Sequence, residues 1–478
     1  MNQRGPFMLL ALAAALFAIV QVDLWGLNGV WADEYFSIYA SDPAQPFSSL
    51  FAQRIITDSN PPLYYSLLYL YRLLIGDARV AFLALNITAL ALAAIVIVKA
   101  GARAGLLRAG LACAGLFLVS GPALAYAPEG RSYFMALCIT LTIAWLTAQT
   151  IETGGSKGGD RAFAVLGGLA ALIHPFAALA AGALGAGTLA EGLLRRRADL
   201  IRAGLFLGVA TTLVFGVWLA IALSHIGNIS FLEFTPDAVK DAVWYVRQLA
   251  VGPNLAALAV AAFLAVSALR REIWPLFRVL AIAAALFIAL PILVSFKTPL
   301  ISGRYWLIGA PLLIVAMVFA MRAQILAASA EGRARWIALF GGLCLVAMAA
   351  FGFFNARDFT ETKPIWRGVT IVRGLIGDCP PRSVRIPRWR PLYAIASGAP
   401  EGVFLDLTRE DAPPLAARAA QCPVIGWAEH VRRGDRFMTE ASDAQLLAIL
   451  HITGAPGADV KIVRHNSGFV ILRADAPR

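Results

Sequence analysis

Apolar runs recur from about residue 6 to about residue 354 of the chain and then stop. Each is built of Ala, Leu, Val, Ile and Phe, most approach the ~20 residues that a spanning helix needs, and short basic segments separate many of them. If "MNQR" and the basic segments are cytoplasmic, the runs thread as spans at 6–25, 80–98, 109–123, 131–150, 162–174, 176–194, 203–224, 246–269, 279–296, 304–321 and 336–354. Roughly eleven crossings, an odd number, leave the rest of the chain on the outer side. The segment 62–75, "PLYYSLLYLYRLLI", is apolar but too short to cross, and reads as an interfacial or re-entrant helix.

The pattern therefore predicts an all-α polytopic membrane bundle over 1–354, with a first outer loop at 28–78 that carries juxtamembrane helices, and a small soluble α/β domain over 355–478. In that tail "KPIWRGVTIVRGLI" and "QLLAILHI" have helical spacing, and "VKIVRHNSGFVILRAD" gives two β-rich runs about an Asn-Ser-Gly turn. At the N-terminus, "MNQR", an apolar run and then Val30-Trp31-Ala32 as cleavage site could be a signal peptide, but the run is too long for its apolar core and Asp23 and Asn28 interrupt the approach to the cut, so an uncleaved span is expected.

Composition agrees with the membrane reading: 59% of residues are apolar and only 15% charged, far from the balance of a soluble fold. The net charge of +12 would suit nucleic acid, yet Lys and Arg fall mostly in short loops such as 99–108, 195–202, 270–278 and 322–335. That placement sets orientation, so no nucleic-acid partner is expected; the partners are membrane lipids and whatever the outer face binds. Cys113, Cys138 and Cys344 fall inside spans as small apolar groups. Cys379 and Cys422 are the two cysteines of the outer tail, where a disulfide is the expected state.

Threading leaves one set of polar residues at the outer ends of spans: Asp33, Glu34, Asp58, Glu129, Arg131, His174, His225, Lys297 and Arg304. No comparable mixed cluster is expected on the inner side. Charges gathered at one face of a bundle commonly surround a ligand or a wet cavity. Each also has a plainer reading: the arginines could snorkel to headgroups, His174 could cap a helix break, and Asp33 could cap the helix that begins "ADEYFSIYAS". Guanidinium groups hold a phosphate through paired hydrogen bonds, and a carboxylate can take a proton from an attacking hydroxyl. A lipid-linked phosphosugar fits both, because its own bond stores the energy of transfer.

The stretches "VWADEYFS", "DSNPPLYYSLLYLYRLLIGDARVAFLALN", "PEGRSYFMAL", "IHPF" and "SGRYWLIGAP", in that order, resemble the GT-C glycosyltransferase superfamily, in the bacterial protein O-mannosyltransferase and lipid A aminoarabinose transferase branch. The resemblance covers about two thirds of the chain. It implies a polyprenyl-phosphate sugar donor, a cell-envelope acceptor and a bacterial inner-membrane location, with the N-terminus cytoplasmic and the C-terminal domain periplasmic.

Residue by residue, the resemblance makes Asp33 the general base or acceptor-positioning residue, Glu34 its helper and Asp58 a second acid that ligates a divalent cation in some relatives. Arg131 and Arg304 become donor-phosphate ligands with Lys297 beside them, and Tyr64, Glu129, Tyr133, His174 and Tyr305 substrate contacts. Asn60 departs from the His or Lys of many relatives, which puts a charged role there in doubt. The expected reaction is a single inverting displacement that requires no cofactor; Mg or Mn is compatible with hard carboxylate and phosphate oxygens. Two other classes stay open on the sequence: a polytopic transporter or flippase of a lipid-linked or polar solute, and a membrane scaffold that displays the tail.

Overall fold

The computed structural model describes residues 4–27, 29–58, 60–225, 236–297, 301–329, 334–362, 366, 368–387, 389–407, 421–429, 432–433, 436–437, 442–452, 460–465 and 468–473. The chain divides into two compact units. One contains Met1–Leu27 and Pro43–Glu361, and the other Asn28–Asp42 with Thr362–Arg478.

The first unit is helical. Its helices are α1 (Arg4–Leu27), α3 (Phe47–Leu50), α4 (Leu63–Ile75), α5 (Ala78–Arg103), α6 (Leu107–Leu118), α7 (Gly121–Tyr126), α8 (Tyr133–Thr153), α9 (Lys157–Ile173), α10 (Pro175–Arg195), α11 (Ala198–His225), α12 (Pro236–Ala250), α13 (Asn254–Ala268), α14 (Trp274–Ser295), α15 (Gly303–Trp306), α16 (Ala310–Ser329) and α17 (Ala334–Thr362), while α2 (Ala32–Ala40) belongs to the other unit. Among the described residues seven helices are long and apolar enough to cross a membrane, or eight with one bent pair. The protein is a multi-pass membrane protein.

Four of the expected spans take a different form. The run at 109–123 stops as a helix at Leu118, because Ser120-Gly121-Pro122 opens the short α7. The run at 162–174 is α9, 17 residues long. The run at 246–269 is broken at Gly252-Pro253, where α12 and α13 meet at 77°. Gly252 takes φ +104° there, and a Cβ on it would press on Phe351. The last, α17, runs 29 residues and ends at Thr362, beyond the boundary expected at 354. Helix α4 has 13 residues, about 20 Å of rise, and ends at Gly76 with φ +78°. Asp77 then caps α5 through the Val80 amide at 2.9 Å.

Small residues let the central helices touch. A Cβ on Gly185 would lie 3.0 Å from the Gly208 nitrogen, and one on Gly204 would lie 2.6 Å from that of Leu189, so α10 and α11 pack backbone to backbone. The helix ends near the basic loops carry ion pairs that the sequence reading did not expect. Glu191 on α10 takes a two-pronged bond from Arg278 on α14 (2.7 and 2.8 Å) and a third from Arg195, Arg322 pairs with Glu152, and Arg202 with Asp160. Arg197 donates to Asp199 and to the carbonyls of Thr150 and Ile151, closing the end of α8. These acids lie within a turn or two of basic loops, and counting Lys and Arg alone overlooked them.

The second unit holds α2, α18 (Gly368–Val372), α19 (Arg390–Ser397), α20 (Asp443–Ile449) and strands β1 (Val384–Ile386), β2 (Phe404–Asp406), β3 (Val424–Glu429), β4 (Arg432–Arg433), β5 (Arg436–Phe437), β6 (Val460–His465) and β7 (Gly468–Arg473). Five strands form a sheet in the order β2-β1-β3-β7-β6, parallel on the β1 side and antiparallel on the β7 side, and β4 pairs with β5. The expected hairpin is β6 with β7; its turn, residues 466–467, lies outside the described residues. Of the stretch "KPIWRGVTIVRGLI", Gly368–Val372 form α18, residues 373–376 form a turn and bend, and 363–365 and 367 lie outside the described residues. Cys379 and Cys422 are joined by a disulfide.

The first outer loop, expected to be one piece over 28–78, is therefore divided. Tyr35 is buried in the core of the second unit, and Val30, Phe36, Ile38 and Tyr39 pack against that core. Tyr35 stacks on Trp366 at 5.1 Å, and Trp366 meets Tyr393 at 4.9 Å and Trp427 at 5.8 Å. The Trp366 amide donates to the Val30 carbonyl at 3.2 Å. Burial pushes the Tyr35 hydroxyl from its ordinary 10 up to about 12, partly opposed by Arg373.

Two outcomes follow from this core. Trp366→Ala removes the ring between Tyr35 and the sheet and should cost about 3–5 kcal/mol in the unit's stability, with faster amide exchange along α2 than in α19. Because the folded Tyr35 resists ionisation and the unfolded one does not, its contribution is intact below pH 10 and is lost as pH rises to about 12. A pH series of melting temperatures, with Tyr35→Phe flattening the decline, checks it.

Candidate active site

The motif "DSNPPLYY" places Asp58 just ahead of a proline pair and Tyr64 and Tyr65 in the first turn of α4. Asp58 Oδ2 accepts from Tyr65 Oη at 2.8 Å and from Asn60 Nδ2 at 3.1 Å. Arg131 Nη1 donates to the same Tyr65 oxygen at 2.8 Å, and its guanidinium carbon lies 6.0 Å from the Tyr65 ring centre. Arg131 and both tyrosines are buried. Burial holds the Tyr65 hydroxyl well above its ordinary ionisation range, with Arg131 pulling the other way, so its proton stays on oxygen.

Arg131 is delivered by the segment between α7 and α8. Asn86, fully buried in α5, donates through Nδ2 to the carbonyls of Ala127 (3.0 Å) and Glu129 (2.9 Å). Gly130 between them has no room for a side chain, since a Cβ would overlap the Phe82 ring. Glu129 itself is buried, and with Arg304 it acts electrostatically on the Tyr126 and Tyr245 hydroxyls, which sit 3.1 Å apart. Arg304 is in α15, whose Gly303 presses so closely on Tyr245 that a Cβ would come within 2.5 Å of its ring.

His174 closes α9 and opens α10. Its Nδ1 accepts from the Phe176 amide at 3.1 Å, so the ring proton of the neutral imidazole is on Nε2, a buried atom with no hydrogen-bond partner among the described residues. Around it stand Tyr133 (5.4 Å), Tyr305 (5.6 Å) and Phe176 (6.1 Å), with Tyr305 and Tyr133 6.1 Å apart. His174 is thus a cap and part of an aromatic wall, within electrostatic reach of Arg131.

The first unit in this way gathers Asp58, Tyr64, Arg131, Tyr133, His174 and Tyr305, with Glu129 and Arg304 about the neighbouring Tyr126–Tyr245 pair. Lys297 follows α14 as an exposed residue and makes no contact with them that the structure describes, and the side chain of His225 is outside the described ones. Asp33 and Glu34 belong to the other unit. The two acids differ there: Glu34 is buried and its Oε2 accepts from the Trp31 amide at 3.2 Å, as in a capping box, while Asp33 is partly exposed and its carbonyl accepts from Ser37. Among the described residues no three His, Cys, Asp or Glu side chains converge as a metal site. Asp58 is a single carboxylate whose Oδ2 already takes two donors, so these residues do not build a protein cage for Mg or Mn.

Two residues of the cluster were missed in the sequence. Asn86 was visible as an amide inside an apolar span; Tyr65 could not be told from Tyr64 without the helix phase.

These features define a polytopic helical membrane fold with a small C-terminal α/β domain, polar at the helix ends that carry the cluster. The same fold is that of ArnT from Cupriavidus metallidurans, solved bound to undecaprenyl phosphate (TM-score 0.58, 14% identity, covering 98% of this chain and 99% of that one) and in the apo state (TM-score 0.58, 15% identity, with the same coverage). No family model matches the chain, and no curated protein matches it in sequence. The GT-C resemblance carried by the motif order and the likeness to ArnT point to one and the same fold.

Asn86→Leu keeps the branching of the side chain but removes the donor shared by two buried carbonyls, and should cost at least about 2 kcal/mol. Thermal melts in detergent check it, with Asn86→Asp, which lacks the amide protons, behaving like Leu rather than like wild type.

Proposed function

We propose that the chain is an integral membrane glycosyltransferase that moves a hexosyl or pentosyl group from a polyprenyl-phosphate-linked donor to a cell-envelope acceptor at the periplasmic face of a bacterial inner membrane. The observation that carries the reading is a buried, anchored arginine beside an aromatic wall in a bundle of apolar helices. It suits a phosphate whose lipid tail stays in the membrane. The fold shared with ArnT, one structure of which holds undecaprenyl phosphate, supports that choice of donor.

In this reading an acceptor hydroxyl gives its proton to Asp33, and its oxygen bonds to the anomeric carbon as the bond from that carbon to the phosphate oxygen breaks. The configuration inverts, and polyprenyl phosphate leaves with its charge met by Arg131 and Arg304. Lys297 contributes long-range positive charge. Tyr133 and Tyr305 offer faces to the sugar, His174 Nε2 offers a proton to a sugar or phosphate oxygen, and Tyr64 and Glu129 border the same region. Glu34 supports Asp33 by fixing the start of its helix. No step requires a cofactor, and a divalent cation, where present, would add charge at the phosphate.

The bend between α12 and α13 is the feature that a transporter reading would claim, since broken helices mark solute sites in such proteins. Solute counterflow in liposomes at rates above those of empty vesicles would favour it.

The test is sugar transfer by the purified full chain from polyprenyl-phosphate-linked donors to envelope lipids and glycans. Asp33→Asn should lower the rate by about 100- to 10,000-fold, the usual range for a lost general base. Arg131→Ala should lower it by about 100-fold, and both should keep the wild-type melting temperature within a few degrees. Activity near wild type in both variants overturns the assignment.

A further inference from the structure

We propose that Asp58 and Tyr65 are positioning residues that act as one device on Arg131: the carboxylate orients the phenol, and the phenol holds the guanidinium. The inference rests on the reading that Arg131 meets the donor phosphate, and it gives Asp58 a role other than that of a cation ligand.

The directions of the hydrogen bonds leave one arrangement. A guanidinium only donates, so the Tyr65 oxygen must accept from Arg131; an ionised carboxylate only accepts, so the single phenolic proton must go to Asp58. Donation to an anion makes the phenol oxygen a better acceptor, so the bond to Arg131 strengthens because Asp58 is charged. Asn60 adds the second donor on the same oxygen and fixes the carboxylate in turn. Seen this way, the Asn at that position serves the relay where a charged residue would compete with it.

The placement is rigid at both ends. Asp58 precedes Pro61 and Pro62, whose φ angles are restricted, and Tyr65 is one turn into α4, its ring set edge-on to Tyr64 at 5.6 Å. Arg131 comes from a segment that Asn86 and Gly130 hold against α5. The Tyr65 phenol fixes the direction of Nη1, and with it the plane of the guanidinium.

The test uses the full chain in lipid nanodiscs, with equilibrium binding of undecaprenyl phosphate and steady-state transfer as readouts. Tyr65→Phe and Asp58→Asn should each weaken undecaprenyl phosphate binding and raise the donor KM by about tenfold, the size of one lost charge-assisted bond. The kcat at saturating donor should change by less than about threefold, a split that a general loss of structure would not give. The double variant should bind within about twofold of the weaker single variant, because both changes break the same device. Where Tyr65→Phe does not fold, Asp58→Asn made in an Arg131→Ala background gives the reading instead, and there it should have no further effect.

Wild-type binding by Tyr65→Phe, multiplicative losses in the double variant, or a full loss from Asp58→Asn without Arg131 overturns the relay. So does a Mg2+ dependence of binding that Asp58→Asn abolishes and Tyr65→Phe retains, since that is the behaviour of a cation ligand. Wild-type binding by Arg131→Ala is a different failure: it removes the donor-phosphate reading itself.

Discussion

A polar side chain inside a bilayer has no water to turn to, so it must find its partner in the protein or remain at the surface. In the helical unit this constraint is met in two ways. At the ends near the basic loops, Glu191, Glu152, Asp160 and Asp199 each take an arginine, and the pairs tie neighbouring helices together. Opposite charges meet there directly, and little remains for a ligand. Where Asp58, Tyr65 and Arg131 meet, a phenol links the carboxylate to the guanidinium, and an amide, Asn86, shapes the segment that carries the arginine. The same requirement for partners yields direct ion pairs in one place and a three-residue chain of hydrogen bonds in the other.

Much of this was legible in the pattern of residues, for reasons that can be stated. Seven spans were readable because apolar length is a property of consecutive residues, as in Ala78–Arg103 and Tyr133–Thr153. The hairpin of β6 and β7 was readable because alternation and a turn lie within 14 residues of each other. The broken span was also marked, by Gly252-Pro253, and was lost by weighing hydropathy above backbone chemistry. Helix phase was not readable. Whether Tyr64 or Tyr65 faces Arg131 depends on where α4 begins, and a shift of one residue rotates a side chain by about 100°.

The division of the first outer loop was hidden for a different reason. Helix α2 has nine residues, too few to be stable alone, and its apolar positions look like those of any interfacial helix. The surface it covers is built from Trp366, Tyr393 and the sheet, more than 300 residues further along, and no local signal joins them. A short amphipathic helix is ambiguous until its partner is known.

That division bears on how an adjacent Asp-Glu pair should be read. Two neighbouring acids invite a shared role, yet neighbours on a helix point about 100° apart and cannot face one site together. Here Glu34 turns back to the Trp31 amide and is buried, which satisfies a backbone donor that the first turn would otherwise leave open. Asp33 keeps its side chain partly exposed. One carboxylate therefore fixes the start of α2, and Tyr35, one residue on, packs that helix on Trp366, which in turn meets Tyr393. Adjacent acids on one helix thus differ in what they do: Glu34 holds the first turn, and Asp33 lies on its partly exposed side.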